Sequence, residues 1–159
     1  MNIAIIPARG GSKRIPGKNI KIFYGRPIIA WSIQVAKQSN CFSKVIVSTE
    51  DPEIAEIANK FDAETPFIRP QSLADDYANT LDVMRHAVDW AEREYGESLN
   101  NVCCIYPTAP LIKPIDITDS LQILQKEDCS FVFSAKEYLS PIQRAFRINK
   151  KNRVEMFAV

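Results

Sequence analysis

Four cations, a hydroxyl and three glycines fall within thirteen residues of Pro7-Ala8-Arg9-Gly10-Gly11-Ser12-Lys13-Arg14-Ile15-Pro16-Gly17-Lys18-Asn19. Gly10 and Gly11 let the backbone approach an anion closely and take left-handed angles. Arg9, Lys13, Arg14 and Lys18 bring positive charge, and Ser12 brings a donor. That set suits a triphosphate, which carries about four negative charges near neutral pH and is best held by charged donors. Two familiar phosphate loops do not fit. A Walker A loop places four residues between its glycines and then Lys and Ser/Thr, whereas Gly11 and Gly17 enclose five and Asn19 takes the hydroxyl's place. The dinucleotide pattern G-x-G-x-x-G is not formed either.

Charge distribution narrows the ligand. Residues 1–49 hold eight Lys or Arg and no acid, residues 50–100 hold thirteen acids against four bases, and the net charge is only +1. A basic segment inside a neutral chain points to a compact anion and not to nucleic acid. Phe23, Tyr24, Trp31 and Phe42 lie in the basic segment without an RNA-binding pattern. No apolar run approaches the length of a membrane span, and the opening residues do not read as a signal peptide. Cys41, Cys103, Cys104 and Cys129 show no C-x-x-C spacing, which argues against structural zinc and a disulfide scaffold and for a reduced, cytoplasmic setting.

The elements that must position this loop follow from periodicity. Asn2–Pro7 is a buried strand, 8–25 a loop, and Pro27 the start of a helix carrying Ile28, Ile29, Ile33 and Ala36. Lys44–Thr49 reads as a second strand, and Asp51-Pro52 opens a helix with Ile54, Ile57 and Ala58 on one face. Glu64–Ile68 is expected as a third strand. Asn79 or Thr80 caps a helix with an apolar stripe of Leu81, Met84, Val88, Ala91 and Tyr95, closed near Gly96. Val102–Tyr106 is a fourth strand, Pro114–Lys126 a helix and Ser130–Ala135 a fifth strand, with short strands near 146–148 and 154–157. The alternation predicts an α/β fold, a Rossmann-like, mostly parallel sheet with helices on both faces. One domain is expected over residues 1–159, and the apolar run Val154–Val159 without a polar tail is expected of a chain cut within its fold.

Several residues receive plain structural readings. His86 lies opposite the stripe of its helix and is expected to face solvent. Trp90 shares that outer side, facing another element or a partner. Cys103 and Cys104 point to opposite faces of a strand, Cys129 belongs to the core, and Asp75-Asp76 is a loop-capping pair, not a catalytic dyad.

The run Ile5-Ile-Pro-Ala-Arg-Gly-Gly-Ser-Lys-Arg-Ile-Pro-Gly-Lys-Asn19 closely resembles the opening signature of sugar-acid cytidylyltransferases, which make CMP-activated sialic-acid-like sugars. The resemblance continues through Val47-Ser-Thr-Glu50, Arg69-Pro70, Leu73-Ala74-Asp75, Ala78-Asn79-Thr80 and Tyr106-Pro-Thr-Ala-Pro-Leu111. It implies a nucleotidyltransferase-type fold. Arg9 and Lys18 would be catalytic, Lys18 stabilising the pentavalent phosphorus. Arg9, Gly10, Gly11, Ser12, Lys13 and Asn19 would hold the nucleotide, and Arg69, Ala78 and Thr80 would frame the cytosine. An arginine donating to O2 or N3 favours cytosine over uracil, whose N3 carries a proton. Tyr106 and Thr108 would line the sugar site, and Pro141, Gln143 and Arg144 would lie on the sugar side or the dimer side.

The implied reaction is attack of an acidic nine-carbon sugar's anomeric hydroxyl on the α-phosphorus of CTP, so positioning and charge stabilisation dominate. Tyr106 stands where sialic-acid synthetases usually carry Gln, and Ile112 where they carry Arg. Together with Phe133-Ser-Ala-Lys-Glu-Tyr-Leu-Ser-Pro-Ile-Gln-Arg144, this resembles the pseudaminic acid branch more than those for N-acetylneuraminate or legionaminic acid. The family implies Mg²⁺ and a homodimer. Its metal-binding Asp-x-Asp does not occur in these residues, which also leaves open a non-catalytic nucleotide-binding module.

Overall fold

The computed structural model describes residues 1–96, 98–137, 139 and 144–156. They divide into two compact units, Met1–Asp128 and Cys129–Val159.

In the first unit, strand β1 (Asn2–Pro7) is apolar on both faces, as a strand covered from both sides must be. After a hairpin of two short strands, β2 (Ile22–Phe23) and β3 (Arg26–Pro27), the chain enters helix α1 (Ile28–Gln38). Strand β4 (Lys44–Ser48) then pairs parallel to β1, Ala4 opposite Val45 and Ile6 opposite Val47. Helix α2 (Pro52–Lys60) begins at Asp51, whose carboxylate accepts from the N–H groups of Glu53 and Ile54, with Pro52 in the first helical position. Helix α3 (Thr80–Tyr95) is capped by Asn79 accepting from Asp82 N–H at 2.9 Å and closed by Gly96 at φ 62°. Strand β5 (Asn101–Cys104) pairs parallel to the other edge of β1, and helix α4 (Pro114–Lys126) follows.

Alternation along the central strand sorts the core. Ala4 and Ile6 pack with Ile29 and Ile33 of α1, Ile54 and Ala58 of α2 and Ile117 of α4. Ile3 and Ile5 point the other way, onto Ala87 and Ala91 of α3. Helices therefore cover both faces of a parallel sheet ordered β4-β1-β5. The chain moves to one side of β1 through β4 and returns to the other side through β5. Such a reversal opens a crevice beyond the strands' carboxyl ends, where α/β folds bind ligands.

Two expected strands are not formed. Glu64–Ile68 makes only single bridges, Ile46 to Glu64 and Thr49 to Ile68, because Pro66 removes a ladder donor between them. Ser130–Ala135 is irregular, although its alternation stacks Phe131 on Phe133 at 5.7 Å. The buried side of α3 is also rotated from the expected stripe. Val83, Ala87 and Ala91 are buried and Leu81 is exposed. His86, expected in solvent, is half-buried edge-on to Phe67 at 4.9 Å, and Trp90 packs between Phe67 and Tyr95. Phe67 supplies the cover from a distant segment that local periodicity does not see. Cys129, expected in the core, is exposed. Cys103 packs on the core, where burial pushes its thiol up to about 11, and Cys104 is exposed on the opposite side.

The second unit holds a hairpin of β6 (Phe146–Ile148) and β7 (Val154–Met156), paired antiparallel with Arg147 on Glu155 at 2.7 Å. Asn149 Oδ1 closes its turn by accepting from the N–H groups of Lys151 and Arg153.

Candidate active site

A cleft of about 200 Å³ opens beyond β1 and β5. Arg9, Lys18 and Asn19 line it from the loop after β1, Arg69 and Leu73 from the segment before α3, Ala78 and Thr80 from the α3 cap, and Tyr106 and Thr108 from the loop after β5. Eight of the expected site residues thus meet in one place, drawn from four segments. Gly11 and Lys13 line an adjoining depression with Ala74, Asp75, Asp76 and Tyr77. Ser12 is half-buried within the same loop, its N–H turned to Gly10 O at 2.8 Å. Arg144 is exposed in the second unit, and Gln143, with Pro141, lies outside the described residues.

The loop is held in shape by its own polar groups. Asn19 is buried in the middle of a 3-10 turn, Lys18–Ile20, and its Nδ2 donates to Arg9 O at 2.8 Å. Among the described residues no group donates to its buried Oδ1, and such a group is costly unless something donates to it. Left-handed angles occur at Gly17 (φ 60°), which introduces this turn, and not at Gly10 or Gly11. Gly10 is required for a different reason: a Cβ there would run into the carboxylate of Asp51. Gly10 N–H donates to Glu50 Oε1 at 2.8 Å, so this donor faces the protein.

Electrostatics divide the cleft in two. On the loop side, Arg9 Nη1 donates to Asp75 O at 2.6 Å and pairs with Asp76 Oδ1 at 3.1 Å, and Lys13 pairs with the other oxygen of Asp76. Lys13 foremost, with Arg9, holds the Asp76 carboxyl below its ordinary value. The neighbouring Asp75 accepts from the N–H groups of Tyr77 and Ala78, the loop cap expected of it. On the inner side, Arg69 is 3% exposed and its Nη2 donates to Glu50 Oε2 at 2.6 Å. Burial pushes the Glu50 carboxyl up, but Arg69, the Gly10 N–H and its own backbone N–H outweigh this and hold it below the ordinary value.

Tyr106 is fixed from two sides. Buried Ser32 of α1 donates to its carbonyl at 2.8 Å, and its hydroxyl lies 3.4 Å from Thr80 Oγ1. Reading the residues in order missed Glu50, Asp76 and Ser32 as parts of the site. Glu50 stood in a quoted motif, but its partners are 40 residues before it and 19 after it. Among the described residues no three His, Cys, Asp or Glu gather in a way that could hold a metal, and the cleft's own acids are engaged as caps and ion pairs. They do not form an all-protein magnesium site, which magnesium seldom uses beside a bound triphosphate.

The parallel sheet, the crevice at its reversal and the cation-bearing loop define an α/β fold of the nucleotidyltransferase type. The solved CMP:2-keto-3-deoxy-manno-octonic acid synthetase complexed with CTP shares it at a TM-score of 0.64 and 25% identity, over 79% of this chain and 48% of that one. The 4-diphosphocytidyl-2C-methyl-D-erythritol synthase of Anaerococcus prevotii matches in fold at TM-score 0.57 and 12% identity, over 98% of this chain and 63% of that one. The family description for cytidylyltransferases matches residues 3–155, and the chain belongs to that family. It is 43% identical to the pseudaminic acid cytidylyltransferase of Campylobacter jejuni (serotype O:2), over 98% of this chain and 67% of that protein. It is 37% identical to the CMP-N,N'-diacetyllegionaminic acid synthase of Legionella pneumophila, over 76% of this chain and 52% of that protein.

Proposed function

We propose that the chain transfers CMP from CTP to an acidic nine-carbon sugar, with pseudaminic acid as the preferred acceptor. The observation that carries this is the meeting of exposed loop cations with a buried, acid-paired arginine across one cleft. Arg9, Lys13 and Lys18, on the loop side, suit the triphosphate, while Arg69 suits the uncharged cytosine framed by Ala78 and Thr80. The anomeric hydroxyl attacks the α-phosphorus, the bond to the β-phosphate's bridging oxygen breaks, pyrophosphate leaves and the hydroxyl proton is lost. Lys18 and Arg9 counter the charge that builds on the phosphorus oxygens, the part of such a reaction a protein most strongly influences.

Tyr106 and Thr108, with Gln143 and Arg144 from the resemblance, are proposed on the sugar side. The identity to pseudaminic acid cytidylyltransferases supports that sugar over N-acetylneuraminate and legionaminic acid. Mg²⁺ is proposed as a companion of CTP. A homodimer and a cytoplasmic setting are proposed from the family likeness; no described helix is long and apolar enough to cross a membrane.

Pyrophosphate release with CTP and each of the three sugars tests the assignment. The reaction is expected fastest with pseudaminic acid. A faster reaction with N-acetylneuraminate overturns the sugar choice, and tight CTP binding without release from any sugar favours a non-catalytic nucleotide-binding module.

A further inference from the structure

Glu50 joins two segments that are distant in sequence and adjacent in the fold. It follows β4, its Oε1 accepts from Gly10 in the loop after β1, and its Oε2 accepts from Arg69. Arg69 is also fixed through its backbone, its N–H donating to Thr49 O at 2.9 Å. Little of the pair is exposed, 10% of Glu50 and 3% of Arg69, and among the described residues Arg69 Nε has no partner. A buried guanidinium left with its full charge attracts the nearest anion, and in a triphosphate site that anion is a phosphate oxygen. Paired with a carboxylate, the same group becomes a near-neutral array of fixed donors. Such an array matches the uncharged acceptors of a base.

We infer that Glu50 is a positioning residue for nucleotide choice: it neutralises and orients Arg69 for the base and, through Gly10, ties the base side of the cleft to the phosphate loop. This rests on the cytidylyltransferase reading above. Glu50 touches no substrate atom in this account. It acts through Arg69, and a residue that serves only stability would lower both nucleotides' affinities together.

The test is calorimetric titration of the full 159-residue chain with CTP, UTP and inorganic triphosphate, each variant's folding checked by thermal unfolding. The parent is expected to prefer CTP over UTP by about ten-fold, a difference one well-placed polar contact supplies. E50Q keeps the side chain's shape and one acceptor but loses the charge. Its CTP-to-UTP ratio is expected to fall to about one-third of the parent's or lower, a loss of roughly 0.6 kcal/mol or more, while its affinity for inorganic triphosphate holds or rises. In R69A, adding E50Q is expected to leave the ratio unchanged. E50D retains the charge but is too short to reach both donors, and an intermediate ratio is expected; it carries the test if E50Q does not fold. A parent-like ratio in E50Q or E50D, or an equal E50Q effect with and without Arg69, overturns the proposal. If the parent prefers CTP, R69A loses that preference and E50Q keeps it, Glu50 alone is refuted. No preference in the parent refutes the base-reading assignment itself.

Discussion

Asp76 holds Arg9 and Lys13, two of the cations assigned to the triphosphate. Its carboxylate would face the nucleotide's negative charge, and both cations would have to exchange one anion for another. Asp76→Asn is therefore expected to tighten CTP binding by a few-fold at low salt, measured by calorimetry, with the gain shrinking as salt rises. Weaker binding in this variant would instead show that Asp76 orders the two cations for the ligand. The cations themselves were legible from the sequence because they lie within one short loop. Their anionic partner was not: Asp76 pairs with Arg9 and Lys13, and the neighbouring Asp75 carbonyl accepts from Arg9 across 66 residues of chain, so only the fold brings them near. Arg69 was legible as a candidate that the fold brings into the cleft, while its burial and its pairing were not. Gly10 was recognised as necessary for the wrong physical cause, since its φ is not left-handed and the constraint is the packing of Asp51.

At the scale of elements, the neighbouring glycines are separable. A Cβ at Gly10 meets the Asp51 carboxylate that caps α2, whereas one at Gly11 meets nothing within 4 Å. Gly10→Ala is expected to cost about 1–3 kcal/mol through overpacking, and Gly11→Ala to be neutral or stabilising by about 0.4–1 kcal/mol through the unfolded chain. Urea unfolding of the two variants measures both. Equal losses would mean that the loop is not seated against α2. Local chemistry made the helices legible: Asp51-Pro52, Asn79 with Gly96, and Pro114 each mark a boundary where the structure has it. Segments decided by distant partners were less so. Pro66 interrupts what would have been a third strand, and Phe67 turns the covered side of α3 toward His86 and Trp90.

For the whole molecule, the strand order β4-β1-β5 matters most, because it opens the crevice between the loops after β1 and β5. Alternating strands and helices implied a parallel sheet, but not which strand would be central. Two-sided burial of β1 was the available hint, and its Ile3/Ile5 and Ala4/Ile6 faces divide the core between α3 and the other three helices. The central claim is that this crevice distinguishes cytosine through Arg69. Calorimetric titration of the chain and of Arg69→Ala with CTP and UTP at one salt concentration tests it most directly. The account predicts tighter binding of CTP by the parent and a ratio near one in the variant, with affinity for inorganic triphosphate largely retained. Equal affinity of the parent for CTP and UTP, or an undiminished preference in Arg69→Ala, would contradict it.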